Sequence, residues 1–474
     1  MSTHPLEELI HPRSLAVVGA SASGRGDGFL SSLVQQGFKG VLYPVNPKYS
    51  EVMGLKTYSS VRDIPGSVDY VISSIPAAGV LELIADCAEK EVKIIHLFTA
   101  RFSETGRKDA AELEREILRQ AKKANIRLIG PNCMGLYYPA EGIAFDRGMA
   151  KKSGPVGLIS QSGQAVEEIT GLATHRGIYF SKAFSYGNAI DFNECDYMDY
   201  FAQDPETKLI LVYIEGVRDG PRFLNSLRAA TAVKPVIILK GGRGEAGTRA
   251  TASHTASLAG SREIWNTVVN QAGVITAEDI KELVDIALAF NFLPEIRRRN
   301  VGVVGGSGGS SVMAADLCEE AGLNVIPLPD VIRQELKKTG NSIWDWISNP
   351  ADFSISMGND SSARDVTKLM AAHPDFDFLI TFVSGPWYLG PEIFSLEQHL
   401  KRYSLEDIGN KPLVIVFQDT ARYYIDDDKM AEYNKIVTEM EARFIGAGHP
   451  VYPDIKRAAL AVSRMIGYYE RKQK

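Results

Sequence analysis

Short apolar runs rich in β-branched residues alternate along this chain with longer stretches of helical periodicity. In the first 150 residues the strand-like runs are SLAVVG, VLYPV, YVISSIP, KIIHLFT and RLIGPN, and helical patterns cover Val80 to Glu89 and Asp109 to Ala124. Strands that are apolar on both faces predict a parallel sheet, covered on each side by right-handed crossover helices. In such a sheet a ligand crevice opens beyond the carboxyl ends of the strands.

The remainder of the chain repeats one unit. VGLISQSGQAVEEITGLATHRGI, from Val156, resembles VGVVGGSGGSSVMAADLCEEAGL, from Val301, as strand, glycine turn and helix. GNAIDF resembles SNPADF, and DYFAQDPETKLILVYIEG resembles KLMAAHPDFDFLITFVSG. The pairs Gly163 and Gly308, Asp191 and Asp352, and Pro205 and Pro374 keep one order with loop-sized differences in spacing. The expected organisation is therefore three α/β domains, at residues 1–150, 151–297 and 298–474, with the charged stretch PEIRRRN (294–300) as the last linker.

Composition narrows the function classes. A net charge of -6 over 474 residues, without long basic runs, argues against nucleic acid or an anionic membrane surface as the main partner. Cys87, Cys133, Cys195 and Cys318 lie far apart without metal-ligand spacing, so no metal site is expected and a reducing compartment is. The start MSTHPLEELIHPRS has no apolar signal core, and no apolar run reaches the length of a membrane span. A cytoplasmic protein is expected.

Three glycine-rich turns carry candidate phosphate chemistry. GASASGRGDG, from Gly19, follows the first strand and opens a helix, where backbone N–H groups can cradle a pyrophosphate. Its spacing is not G-x-G-x-x-G, and the second strand ends in VNPK rather than in an acidic residue. Lys48 at that place favours a cofactor with an extra ribose phosphate, either NADP or coenzyme A; a glycine turn that merely packs a helix closely is the plain alternative. ISQSGQ, with Ser160, Gln161, Ser162 and Gly163, and GGSGGSS, with Gly306, Ser307, Gly308 and Gly309, are the equivalent turns of the repeat. Each offers unpaired N–H groups and a positive dipole end to an anion.

Two side chains complete a candidate group-transfer site. His254 sits among small and hydroxylated residues in GTRATASHTASLAG, a composition that suits an imidazole on a mobile loop. Glu215 ends the apolar run LILVYIEG, where its carboxylate would fix the tautomer of an imidazole; a surface glutamate at a strand end is the alternative. Gly305 to Gly309 also spells G-x-S-x-G, and Ser307, Asp352 and His449 follow in the chain order of a hydrolase triad. The counterpart turn SQSG lacks the leading glycine, which favours a phosphate turn over a nucleophile elbow. Cys133, in IGPNCMG, has no adjacent basic residue to activate its thiol.

The ordered motifs HPRSLAVVGAS, YPVNPK, GPNCMG, GLISQSG, SYGN, DYFAQDPETKLILVYIEG, KGGRGEAGTRATASHTASLAG and NPADF span nearly the whole chain. Together they resemble the alpha subunit of the NDP-forming acyl-CoA synthetases, the ADP-forming acetate:CoA ligase group related to succinyl-CoA synthetase. The resemblance implies an N-terminal Rossmann-like CoA-binding domain followed by two flavodoxin-like ligase domains. It implies that His254 is the phosphorylated histidine and that Glu215, in the Y-x-E-G motif, steadies it. The CoA loop falls on Gly19, Ser21, Ala22, Ser23 and Gly24, with Lys48 near a CoA phosphate. Phe98, Thr99 and Ala100 fall beside the pantetheine arm, and Asn132 and Cys133 at the reacting end. Ala256 stands where the family motif usually has glycine, and the turn at Gly305 is richer in glycine than is typical.

The implied reaction is acyl-CoA plus ADP and phosphate giving acid, CoA and ATP, reversibly, through an acyl phosphate and a phosphohistidine. ADP, ATP and magnesium need an ATP-grasp domain, for which three α/β domains leave no segment. A separate ATP-grasp beta subunit, in an alpha2beta2-like assembly, is therefore expected. The rivals are an NADP-dependent oxidoreductase and a CoA-binding scaffold or sensor without turnover.

Overall fold

The first apolar run forms β1 (Ser14–Val18), buried along its whole length. Helix α1 (Asp27–Gln36), β2 (Val41–Val45), the small hairpin of β3 (Glu51–Val52) and β4 (Leu55–Lys56), and β5 (Tyr70–Ser73) follow. Next come α2 (Val80–Glu89), β6 (Ile94–Leu97), α3 (Lys108–Lys123) and β7 (Arg127–Ile129). The computed structural model describes residues 4–21, 27–247, 261–341, 343–353, 362–386, 396 and 408–472. The main strands form a parallel sheet in the order β2-β1-β5-β6-β7. The chain leaves β1 towards β2 and returns to its other side at β5, so the topological switch lies between β1 and β5. There Gly19 has φ +91°, and a Cβ on it would lie 2.7 Å from the Ser74 hydroxyl oxygen. Backbone strain and close approach both require glycine at the mouth of the crevice.

The second sheet begins before residue 150. Strand β8 (Gly135–Tyr137) pairs antiparallel with β10 (Phe180–Ser185), and β9 (Val156–Ser160) lies on the other side of β10. Helix α4 (Gly163–His175) joins β9 to β10; α5 (Glu194–Gln203) leads to β11 (Leu209–Ile214), and α6 (Gly220–Val233) to β12 (Val236–Lys240). Helix α7 (Arg262–Gln271) and β13 (Ile275–Ala277) complete the order β13-β12-β11-β9-β10-β8. Here the switch falls between β9 and β11, which run parallel and side by side.

Polar groups stitch these two sheets together. The Asp191 carboxylate accepts the Leu128 N–H at 2.9 Å and the Arg127 Nε–H at 2.8 Å, while the guanidinium stacks 3.7 Å from the Phe192 ring centre. The buried Asn188 amide donates to Glu104 at 2.8 Å and to Glu114 at 2.9 Å. Gly187 approaches so closely that a Cβ there would lie 2.2 Å from the Asn132 carbonyl oxygen. On β6, His96 has its Nε2 3.0 Å from the Cys133 carbonyl oxygen, and a Cβ on Gly135 would strike its ring at 2.4 Å. His96 thus braces the PNCMG turn from beneath.

The chain divides into two compact units, residues 1–283 and 284–474, at a point inside α8 (Ile280–Phe292) and ahead of PEIRRRN. In the second unit, β14 (Val301–Val304), α9 (Gly308–Glu320), α10 (Asp330–Lys338), α11 (Ser362–Ala372) and β15 (Phe378–Val383) precede β16 (Leu413–Phe417). Helix α12 (Met430–Gly446), β17 (Val451–Tyr452) and α13 (Ile455–Arg471) end it. Its parallel sheet, β14-β15-β16-β17, repeats the order β9-β11-β12-β13 of the first unit. Where β10 would flank β14, residues 349–351 run instead. The Asn349 side chain accepts the Val303 N–H at 2.9 Å, and the Ala351 N–H donates to the Val303 carbonyl at 2.8 Å.

Burial lowers the pKa of His96 to about 4, outweighing the opposite effect of the Cys133 carbonyl. The unfolded chain therefore takes up this proton more readily than the native one. The neutral imidazole's contribution is complete above the ordinary histidine range near 6.5 and is lost as pH falls towards 4. That loss amounts to about 3 kcal/mol. His96→Gln, which keeps an N–H donor but cannot be protonated there, is expected to lose less stability than the wild type between pH 7 and pH 4 in denaturant unfolding. Equal acid sensitivity of the two proteins would mean that His96 titrates normally.

Candidate functional site

At the first switch point, side chains from two strand ends hold the glycine loop. The Gly19 N–H donates to the Val45 carbonyl at 2.9 Å, and the Asn46 amide donates to the Ala20 carbonyl at 2.7 Å. The Asn46 side-chain oxygen in turn accepts the Lys48 N–H at 3.0 Å, so one residue ties the loop after β1 to the turn that presents Lys48. The Lys48 side chain is exposed and Ser21 is half-buried. Ala22, Ser23 and Gly24 lie outside the described residues. Asn46 was not singled out in the sequence; its signal is its place in VNPK, one residue past the buried end of β2.

Phe98, Thr99 and Ala100 follow β6 at the same sheet edge. Phe98 is half-buried with its ring edge-on to Phe29 at 5.1 Å, and the Thr99 hydroxyl donates to the Ile75 carbonyl at 2.7 Å; Ala100 is exposed. The Thr99 carbonyl accepts the N–H of Asn132, a residue held at φ +59°. Cys133 is buried, its Sγ is 3.8 Å from the Leu97 carbonyl oxygen, and burial pushes its thiol well above the ordinary range. It offers this edge a backbone rather than a thiolate nucleophile.

The second switch point carries a denser constellation. Ser160 is wholly buried and its hydroxyl donates to the Ser162 carbonyl at 2.7 Å; the Ser162 hydroxyl caps α4 by accepting the Ala165 N–H at 3.3 Å. Between them Gln161 directs its side-chain oxygen to the neighbouring strand end, where it accepts the N–H of Glu215 at 2.7 Å and that of Gly216 at 3.1 Å. Gln161 and Glu215 are both buried. A Cβ on Gly163 would lie 3.1 Å from Met134 Cγ, so the start of α4 abuts the PNCMG turn.

Glu215 is held on its other sides as well. The Tyr213 hydroxyl donates to Glu215 Oε1 at 3.2 Å, and Lys240, at the end of β12, donates from Nζ to the Glu215 carbonyl at 2.6 Å. Burial pushes the Lys240 ammonium below its ordinary pKa, against the pull of Glu215. Three residues on, the Arg218 guanidinium donates to the Asn188 carbonyl at 2.7 Å, joining this turn to the seam with the first sheet. The chain leaving β12 passes directly over Glu215: a Cβ on Gly241 would lie 3.3 Å from Glu215 Cγ. A cleft of about 630 Å³, lined by Glu168, Lys240, Gly242, Arg243, Glu278 and Lys281, opens at this edge. His254 belongs to 248–260, outside the described residues. Among the described residues, no three metal-binding side chains cluster, and no helix is long and apolar enough to cross a membrane.

In the second unit, Gly305 (φ +89°) and Gly306 (φ +84°) turn the chain into α9. The Ser307 hydroxyl lies 3.2 Å from that of Ser310, and a Cβ on Gly308 would lie 3.1 Å from Asp352 Oδ2. A carboxylate thus already stands at the start of α9, whereas Gly309 has open space around it. His449 precedes β17, at the amino edge of the sheet, while Ser307 follows β14 at the carboxyl edge. Among the described residues these are the outermost strands of four, three spacings or roughly 14 Å apart. The fold therefore separates His449 from the other two members of the apparent hydrolase triad.

Comparison with known proteins gives the family of this fold. Residues 13–139 match the CoA binding domain model, and residues 153–290 match that of the succinyl-CoA ligase like flavodoxin domain. The chain is 33% identical over 99% of its length, and 99% of the relative's, to the alpha subunit of acetate–CoA ligase [ADP-forming] I of Pyrococcus furiosus. It is 35% identical to the alpha subunit of that organism's form II, over 87% of this chain and 90% of the relative. An acetyl-coenzyme A synthetase of Ca. Korarchaeum cryptofilum, solved with phosphate and ADP, superposes with a TM-score of 0.80 at 30% identity, covering 99% of this chain and 98% of that one. Full-length kinship, the two domain matches and the common fold place this chain in the family of the ADP-forming acyl-CoA synthetases, on the side of their alpha subunits.

Proposed function

We propose that this chain is the CoA-binding and phosphohistidine-bearing part of an ADP-forming acyl-CoA synthetase. CoA lies at the switch between β1 and β5, with its phosphates on the Gly19 to Gly24 loop and near Lys48. Its pantetheine arm passes Phe98, Thr99 and Ala100 towards Asn132 and Cys133. Phosphate attacks the thioester carbonyl, forming a C–O bond as the C–S bond breaks, and CoA leaves as the thiolate. The His254 imidazole then takes the phosphoryl group from the acyl phosphate, releasing the carboxylate, and passes it to ADP.

The observation that carries this reading is the placement of Glu215. A buried carboxylate is fixed at a topological switch, and the chain that leads to His254 departs past its side chain, a Cβ on Gly241 lying 3.3 Å from Glu215 Cγ. A carboxylate so placed orients an imidazole and stabilises the positive charge that develops on it during transfer. The Ser160–Gly163 turn, opening α4, supplies N–H donors for the phosphoryl oxygens. The Gly306–Gly309 turn is assigned the same role in the second unit, where Asp352 would have to share the helix start.

A separate ATP-grasp subunit would bind ADP, ATP and magnesium. One relative supports this: 98% of this chain matches the acetate–CoA ligase [ADP-forming] II of Archaeoglobus fulgidus over only 67% of that protein's length. The unmatched third of that relative is length that a second subunit would contribute here.

Two outcomes test the proposal. With acetyl-CoA, labelled phosphate and the partner subunit, the chain should acquire an acid-labile, base-stable label. His254→Ala should abolish it, and Glu215→Gln should slow it by about 100-fold or more, with CoA binding intact in both. A label that persists in His254→Ala would place the phosphoryl group on another residue. By calorimetric titration, the chain alone should bind CoA more tightly than NAD or dephospho-CoA. Lys48→Ala should narrow the gap between CoA and dephospho-CoA. Equal affinity for CoA and NAD would remove the CoA assignment.

A further inference from the structure

We infer that Gln161 acts as a positioning residue for Glu215, through the oxygen of its side-chain amide rather than as a donor to phosphate. The inference rests on the proposed role of Glu215. An anion ligand in the turn before α4 would use its N–H groups. Yet the Gln161 oxygen is committed to two successive backbone donors, at 2.7 Å from Glu215 and 3.1 Å from Gly216. Two N–H groups converging on one acceptor fix the direction of the peptide as well as its distance.

The opposite end of the same residue is held too. Lys240 Nζ lies 2.6 Å from the Glu215 carbonyl oxygen, and Tyr213 restrains the carboxylate at 3.2 Å. Gln161, Glu215 and Lys240 end three adjacent parallel strands, β9, β11 and β12, so each clamp reaches across one strand spacing. The Gln161 backbone is itself fixed, its N–H donating to the Tyr213 carbonyl at 3.0 Å. A backbone that starts the phosphate turn therefore carries, on its side chain, the register of the carboxylate. Moving phosphate and carboxylate independently would require breaking these bonds.

Removing the acceptor should release Glu215 by a fraction of an ångström to an ångström, a displacement that costs up to about 100-fold in a group transfer. In the enzyme assembled with its nucleotide-binding subunit, turned over with acetyl-CoA and ADP at varied phosphate, Gln161→Met is expected to lower kcat roughly 10- to 100-fold. The KM for phosphate should stay within about twofold, since transition-state stabilisation rather than ground-state binding is lost. Gln161→Glu keeps an oxygen in place and removes the amide donors; it should recover most of the lost kcat. A raised phosphate KM with unchanged kcat in Gln161→Met would make Gln161 a phosphate ligand and overturn the inference, as would a Gln161→Glu enzyme no faster than Gln161→Met. If the methionine variant does not fold, judged by CoA binding, Gln161→Glu decides alone: near-native kcat and phosphate KM support the acceptor role, and loss of either refutes it. Should the wild type acquire no label on His254, the proposed function itself falls. If it does and Gln161→Met matches it, only the positioning role falls.

Discussion

The peptide of Glu215 is held from both ends, and much of the site depends on that constraint. Its N–H is taken by the Gln161 side chain from β9, and its carbonyl by Lys240 from β12. Such double anchoring is possible only because parallel strands place their carboxyl ends side by side, where the last backbone groups have left the ladder and need partners. A side chain one strand away can supply them. The cost is the burial of an ammonium and a carboxylate, which is offset only if both are well bonded. Burial of Lys240 lowers its ammonium pKa against the pull of Glu215.

From this anchored edge the constraint spreads to the CoA-binding sheet. Arg218, just after Glu215, grips the carbonyls of Asn188 and Ala189. Asn188 bonds Glu104 and Glu114, and Asp191 pins Arg127 and Leu128. The PNCMG turn lies between, braced by His96 and touching the start of α4 through Met134. A group travelling from the thioester end of CoA to a phosphoryl carrier would thus move across a preorganised floor, whose geometry needs no adjustment as charge develops.

Much of the architecture was legible in the sequence because its signals are local. Uninterrupted runs such as SLAVVG and LILVYI read as buried strands, and the repeated strand, glycine turn and helix at Val156 and Val301 pointed to one duplicated unit, whose two sheets share a strand order. The turn from β9 into α4, between Ser160 and Gly163, was visible as well. The bonds of the Gln161 side chain to the Glu215 and Gly216 N–H groups were not, because nothing in ISQSGQ reveals that β11 will lie beside β9. Asn46 escaped notice for the same reason, since its bond to Ala20 joins ends of strands 26 residues apart in sequence. Strand β8 was counted within the first domain, yet it pairs with β10. Short runs such as GLYY do not encode their partners. What remained hidden was neighbourhood across the sheet, which is set by tertiary packing.

The most direct test is a crystal structure of the phosphorylated protein. The account predicts phosphorus on an imidazole nitrogen of His254 and a Glu215 carboxylate oxygen within about 3 Å of the other nitrogen. It also predicts that the N–H groups of Glu215 and Gly216 are still bonded to Gln161. A phosphohistidine remote from Glu215, or a Glu215 peptide swung away from Gln161 to reach it, would contradict the claim that this carboxylate is fixed in advance to receive the transferred group.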